Sequence, residues 1–160
     1  MEFDKALSKL FLPDQDSWLK HANPWSVWSR FATLPFIVVS IWSRVWIGWY
    51  CLIPISILIL WIWINPTLFS KPKDYSSWGA KAVLGERVFM NRKEKPLPDG
   101  HTKAIIVLNI LQCFSGIILL YGLWNLDVAM TIHGTVYIYL TKMWFLDRMV
   151  WLYESSNSED

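Results

Sequence analysis

The sequence predicts an all-α protein that spans a membrane as a bundle of four transmembrane helices. Of its 160 residues, 54% are apolar and only 18% are charged. Long stretches lack charge altogether, and each approaches the ~20 apolar residues that a helix needs to cross a bilayer. The chain also has 12 Trp, and the amphipathic ring of Trp favours the membrane–water boundary. No run of alternating strands suggests a barrel, the other fold that satisfies its backbone within lipid.

The N-terminal segment 3–20 predicts amphipathic helix at the membrane surface. Apolar side chains recur there at helical spacing, opposite charged and hydroxyl side chains. The apolar positions are Phe3, Leu7, Leu10 and Phe11. Pro13 ends this first helix, and Asp14 can cap a second short one that ends near Lys20. We expect the segment to lie in the headgroup layer.

Residues 24–43 predict the first span. It opens with Pro24, which is well tolerated in the first turn of a helix. Pro35 lies in the interior, where it can kink the helix. Arg30 lies within the first two turns, so its long side chain can reach the cytoplasmic headgroups.

Residues 45–64 predict the second span, after a tight turn at Ser43 and Arg44. This stretch carries no charge. Two Trp stand near each of its ends, namely Trp46, Trp49, Trp61 and Trp63. The outermost two are about 25 Å apart along a helix, which is close to the ~30 Å thickness of the hydrocarbon layer. The first two spans therefore form an antiparallel hairpin.

The polar stretch 65–103 predicts a cytoplasmic loop with one helix at about 76–90. It holds eight Lys and Arg against four Asp and Glu. The other turns contain Arg44 alone, so the positive-inside rule puts this loop in the cytoplasm. Both chain termini are then cytoplasmic, and the expected location is the inner cell membrane.

Residues 104–126 and 128–146 predict the third and fourth spans. Lys142 lies about 22 Å along the helix from Asp127, so its ammonium can reach the cytoplasmic side. Asp147 then falls at the inner interface. We expect a tail over 149–160 whose tip is disordered.

Two groups of polar residues in this frame are candidates for function. The first is a stripe on the third and fourth spans, which forms either a transport pathway or a packing seam between helices. It consists of Asn109, Gln112, Gly116, His133, Tyr137 and Thr141. The second is a cytoplasmic charged cluster, which either anchors the helix ends or binds an anionic headgroup or substrate. It consists of Arg30, Glu86, Arg87, Lys142, Asp147 and Arg148.

Several classes of function are disfavoured by missing motifs. The three His, at 21, 101 and 133, lack the spacing of a membrane di-iron enzyme. No P-loop, no nucleophile elbow and no CxxC is present, so we expect no metal and no cofactor. The net charge of +2 is too small to predict nucleic-acid binding.

Three segments of the chain carry a resemblance to a known family: His21–Phe31, Trp78–Glu86 and Trp144–Glu154. In these the chain resembles a family of small, uncharacterised archaeal and bacterial integral membrane proteins with four helices. The resemblance covers most of the chain from residue 21 onwards. It implies a prokaryotic inner membrane, and it implies no catalytic residues because that family has no assigned activity.

Three functions are compatible with these features. Four helices leave little room for a pathway inside one copy, so a small channel or transporter would need a homo-oligomer or a membrane-protein partner. The protein could instead be an accessory or scaffold subunit of a larger membrane complex. An enzyme acting on a lipid, through the charged cluster, is the least favoured because catalytic motifs are missing.

Overall fold

The computed structural model describes residues 15–92, 97 and 100–157, and this part of the chain contains helices and no strands. The predicted surface helix at 3–12 lies outside the described residues. The helices are α1 (Gln15–His21), α2 (Pro24–Trp42), α3 (Arg44–Ile47), a 3₁₀ turn (Gly48–Cys51), α4 (Leu52–Leu68), α5 (Trp78–Met90), α6 (His101–Asn125) and α7 (Val128–Asn157).

Helices α2 and α4 pack side by side as a hairpin. The Asn23 side chain accepts a hydrogen bond from the Trp25 amide at 2.9 Å and so caps the start of α2. Pro35 lies inside α2, which continues through it without interruption. Among the described residues, two helical stretches are long and apolar enough, by length and composition, to cross a membrane: Pro24–Leu68 and His101–Asn125. The first of these contains both helices of the hairpin.

The second helix of this hairpin begins and ends later than the sequence predicted. Instead of a tight turn at Ser43 and Arg44, residues 43–51 form a longer connection with one turn of α3 and a 3₁₀ turn. Gly48 permits it, because its φ of 55° lies in the left-handed region that glycine adopts readily.

At the other end, the sequence predicts Asn65 in the loop, but this residue lies buried inside α4. Its amide accepts from Ser26 Oγ at 2.7 Å and donates to Ser29 Oγ at 2.8 Å. An Asn next to a Pro reads as a turn in the sequence. Here those hydrogen bonds across the hairpin satisfy the amide, so the helix continues past it.

Arg44 joins the first hairpin to α6. Its Nη2 donates to the backbone carbonyls of Leu123, in a short contact, and of Trp124 at 3.0 Å. These carbonyls lie in the last turn of α6, where intrahelical donors run out. Immediately afterwards the Asp127 side chain accepts from the Met130 amide at 2.9 Å and caps the start of α7.

Helix α7 continues well past the predicted end of the fourth span at residue 146. The segment predicted as a tail is helical as far as Asn157, because it carries its own core. Met149 and Leu152 are fully buried with Ile105 of α6, and Leu146 packs with Ala82 of α5. The loop helix α5 is therefore seated on α7, and Lys81 and Glu154 add an ion pair of 2.7 Å between them.

Close packing of α6 on α7 depends on glycine. A Cβ built on Gly134 would lie 2.5 Å from the Leu119 backbone, and one on Gly122 would lie 2.4 Å from the Thr131 amide nitrogen. By contrast, a Cβ on Gly116 meets nothing within 4 Å. Gly116 was predicted to belong to the seam, yet it makes no close contact there.

We expect Gly134→Ala to lower the free energy of unfolding by about 1–3 kcal/mol, since the added methyl group meets backbone atoms that cannot move cheaply. Gly116→Ala is the matched control and should leave stability unchanged or slightly higher, because Ala favours helix more than Gly. Thermal unfolding of both variants in mild detergent measures the difference. Equal stability of the two variants would contradict the close packing.

Candidate ligand-binding cavity

A cavity of about 290 Å³ lies where α1, α2, α5 and α7 meet. Its polar lining residues are His21, Arg30, Glu86, Tyr139 and Lys142. The rest of the lining is apolar or small: Val27, Phe31, Leu34, Gly79, Ala82, Val83, Ile138 and Leu146. A volume of this size is at the lower end of the range found for small-ligand sites.

The walls of the cavity are set by the position of α5. A Cβ on Gly85 would lie 1.9 Å from the Met149 carbonyl oxygen, so the backbones of α5 and α7 are in direct contact there. On the other side the indoles of Trp28 and Trp78 stack with centroids 6.0 Å apart. Helix α5 thus bridges α2 and α7 and closes the space between them.

The charged side chains around the cavity form two separate pairs. Lys142 Nζ lies 3.3 Å from Glu86 Oε1. Arg30 Nη1 lies 2.7 Å from His21 Nε2, and Arg30 Nε donates to the Ser26 carbonyl at 3.0 Å. Two cationic side chains therefore share the cavity with one carboxylate, so its described lining has a net charge of +1 when His21 is neutral and +2 when His21 is protonated.

His21 is neutral in this environment. Its burial, followed by the positive charges of Arg30 and Lys142, lowers the pKa of His21 to about 3. A guanidinium can only donate, so Nε2 accepts from Arg30 and the ring proton resides on Nδ1. Nδ1 is buried and has no hydrogen-bond partner among the described residues. The described lining of the cavity therefore carries one net positive charge.

Tyr139 links the cavity wall to Pro35. Its hydroxyl donates to the Phe31 carbonyl at 2.6 Å, and its ring stacks on that of Phe31 with centroids 6.0 Å apart. In a regular helix the amide of residue 35 would donate to this carbonyl, but proline has no N–H. Pro35 thus leaves an acceptor open on α2, and Tyr139 of α7 fills it.

The predicted charged cluster is divided by the structure. Arg30, Glu86 and Lys142 line the cavity, whereas Arg87, Asp147 and Arg148 lie outside its lining. Asp147 accepts from the Trp78 indole at 3.4 Å, and the Arg148 guanidinium lies 4.9 Å from the Trp151 ring. Glu86 forms its ion pair with Lys142, and its charge also acts on Arg30.

The predicted seam on α6 and α7 is also divided. The Thr141 hydroxyl lies 2.7 Å from the Gln112 side-chain oxygen on α6 and also 2.7 Å from the Tyr137 carbonyl of its own helix, so its one proton has an acceptor on each helix. His133 and Tyr137 are exposed neighbours on α7, with rings 6.0 Å apart. Asn109 is exposed in a separate shallow groove that also contains Cys113. Within one copy, these polar residues do not form a continuous path.

No pattern in the sequence singles out His21, Tyr139 or Asn65 as cavity-lining or packing residues. The position of His21 serves there only to argue against a membrane di-iron site. Pro35 signals that the carbonyl four residues earlier, that of Phe31, lacks its helical donor. No local pattern identifies Tyr139 as the replacement donor, because it lies 108 residues from Phe31 in the sequence.

A family model covers residues 2–160 of the chain. The chain belongs to DUF6653, a family of unknown function. No curated protein and no solved structure matches it. What the cavity of this DUF6653 protein can bind must therefore be inferred from its own lining residues.

Within 15–92, 97 and 100–157, no three His, Cys, Asp or Glu side chains are placed to hold a metal ion.

We expect Tyr139→Phe to lower the free energy of unfolding by about 1–3 kcal/mol, because it leaves the Phe31 carbonyl without a donor. In a Pro35→Ala background the amide of residue 35 can donate instead, so the same Tyr139→Phe change should cost less. Equilibrium unfolding of the two single variants and the double variant gives the coupling free energy. Strictly additive effects would contradict the link between Pro35 and Tyr139.

Acidification should destabilise the fold through His21. From about pH 6.5 down to pH 3, the unfolded chain takes up a proton on His21 that the folded chain does not. Stability attributable to this group therefore falls as pH falls, by at most about 1.4 kcal/mol per pH unit. His21→Gln keeps an acceptor for Arg30 but does not titrate, so stability should depend less steeply on pH in this variant. Identical slopes of stability against pH for the variant and the wild type would refute this assignment.

Proposed function

We propose that this protein is a four-span membrane protein of the inner cell membrane that binds an anionic ligand in a cavity at its cytoplasmic boundary. The observation that carries the proposal is the net positive charge of a half-buried cavity. Among the described residues of its lining, Arg30 and Lys142 are the cations and Glu86 is the one carboxylate, while His21 is neutral. Charged side chains that are partly withdrawn from water normally have a counter-charge, so a surplus cation favours an anionic ligand.

The apolar exterior supports placement in a membrane. Only 6% of the most apolar window of Pro24–Leu68 and 22% of that of His101–Asn125 are buried within the bundle. Exposed side chains in these stretches include Phe36, Val39, Ile53, Ile57, Phe114, Ile117 and Leu120. Soluble proteins rarely expose apolar patches this extensive, and a bilayer would cover them.

In the proposed four-span arrangement, helix α7 forms the fourth span. From Asp127 to Asp147 the chain rises about 30 Å, which matches the hydrocarbon thickness. Exposed aromatic side chains flank both boundaries. Trp46, Trp49, Tyr50 and Trp124 lie toward the Arg44 end, and Trp25, Trp28, Trp144 and Trp151 toward the cavity end. Aromatic belts of this kind favour membrane interfaces.

The basic loop gives the proposed orientation. Helix α5 belongs to the segment richest in Lys and Arg, so the positive-inside rule puts the cavity on the cytoplasmic side. A ligand would then reach the cavity from the cytoplasm or from the inner leaflet. In this arrangement the lipid bilayer is the first partner of the protein.

A homo-oligomeric channel or transporter remains our prediction from the sequence. The positions of the predicted pathway residues limit where such a path could run. Asn109, His133 and Tyr137 lie on the outside of a single bundle. A polar path through them therefore needs a second copy, or another membrane protein, to cover these faces.

Binding of butyl phosphate to the protein in mild detergent tests the anion site. Lys142→Gln should weaken binding about 10-fold or more, because a charge-assisted hydrogen bond contributes about 1.5–3 kcal/mol. Glu86→Gln should strengthen binding, since it removes the competing carboxylate. Isothermal titration calorimetry measures both effects.

The matched control is Arg148→Gln, which removes the same charge near the same boundary but outside the cavity lining. Its affinity should equal that of the wild type. If Lys142→Gln and Arg148→Gln have the same effect, then binding reflects general surface charge and the anion site is wrong.

A further inference from the structure

On the side away from the proposed cytoplasmic boundary, the lining of the cavity changes from charged to apolar. On α2, Leu34 follows Arg30 by one turn, and on α7, Ile138 precedes Lys142 by one turn. The two helices run in opposite directions across the proposed membrane. Leu34 and Ile138 therefore both lie about 6 Å farther from the cytoplasmic boundary than the two cationic residues.

We infer that the ligand is an anionic amphiphile, namely a phosphate or carboxylate head carrying an alkyl chain. This inference rests on the proposed function and names its ligand class. The head lies at the charged end, within reach of Arg30 and Lys142. The chain lies along α2 and α7 and points toward the bilayer interior.

His21 fixes one of the two cations at the polar end. It is only 8% exposed, and its Nε2 accepts from Arg30 Nη1 at 2.7 Å. Because its ring is neutral, His21 positions the guanidinium without adding a charge of its own.

The apolar end is shaped for a chain rather than for a second polar group. Its lining includes Phe31, Leu34 and Ile138, and the hydroxyl of Tyr139 in this lining already donates to the Phe31 carbonyl. Leu34 and Ile138 are half-buried, so this end borders the outer surface of α2 and α7. A chain longer than the cavity can continue from here into the surrounding lipid.

A series of inorganic phosphate, butyl phosphate and octyl phosphate tests the inference. Affinity should rise with chain length, by up to about fourfold for each buried methylene group. Partitioning of the ligand into detergent also grows with chain length. The measurement that tests the inference is therefore the difference in affinity between the wild type and Lys142→Gln at each chain length. Dodecanoate and dodecyl phosphate, compared in parallel, separate carboxylate from phosphate heads, and binding of either supports the inference.

Filling the apolar end provides a second measurement. Ile138→Trp should flatten the dependence on chain length while inorganic phosphate binds as before, whereas Val136→Trp, at an exposed position on the same helix, should change neither. If Ile138→Trp does not fold, the dependence of affinity on chain length in the wild type still tests the inference.

Equal Lys142-dependent affinity for inorganic and octyl phosphate would overturn the amphiphile and leave the anion site standing. Affinity that does not depend on Lys142 at any chain length would overturn both.

Discussion

The direct contact between the backbones of α5 and α7 at Gly85 is the constraint on which the cavity depends. Because residue 85 has no side chain, the loop helix lies directly on α7 at Met149. That approach puts Glu86, the next residue, within 3.3 Å of Lys142. It also places Trp78 against Trp28, so α2 is held at the opposite wall. A larger residue at 85 would move α5 outward and open the space between the three helices.

Hydrogen bonds between helices fix the remaining geometry. Asn65 joins α4 to α2, Thr141 joins α7 to α6 and Tyr139 joins α7 to α2. Each of these bonds gives a polar group a partner on a neighbouring helix. Such bonds favour one arrangement of helices, because separating α2 from its neighbours would leave the buried Asn65 amide and the Phe31 carbonyl without these partners.

The sequence predicts the helical class and most of the helices, because apolar periodicity and composition are local properties. It also predicts three of the residues that line the cavity, Arg30, Glu86 and Lys142. A charged side chain in or near a long apolar stretch is unfavourable there and so indicates a candidate functional residue. It could not predict that Glu86 pairs with Lys142, because the contact joins residues 56 positions apart. The extent of α7 was missed for a related reason: Met149 and Leu152 are helical through tertiary packing, which no local pattern reveals.

The contact of Arg44 with the end of α6 has a consequence for how the chain assembles. The last carbonyls of a helix carry the negative end of its dipole, so the guanidinium of Arg44 is both hydrogen-bonded and electrostatically matched there. Its partners belong to a helix that is synthesised about 80 residues later. Until α6 is in place, the first hairpin holds a cation that lacks this partner. Packing of α6 and α7 onto the first hairpin therefore gives this cation its hydrogen-bond acceptors, at the opposite end of α2 from the cavity. This contact favours the complete fold over an isolated N-terminal hairpin.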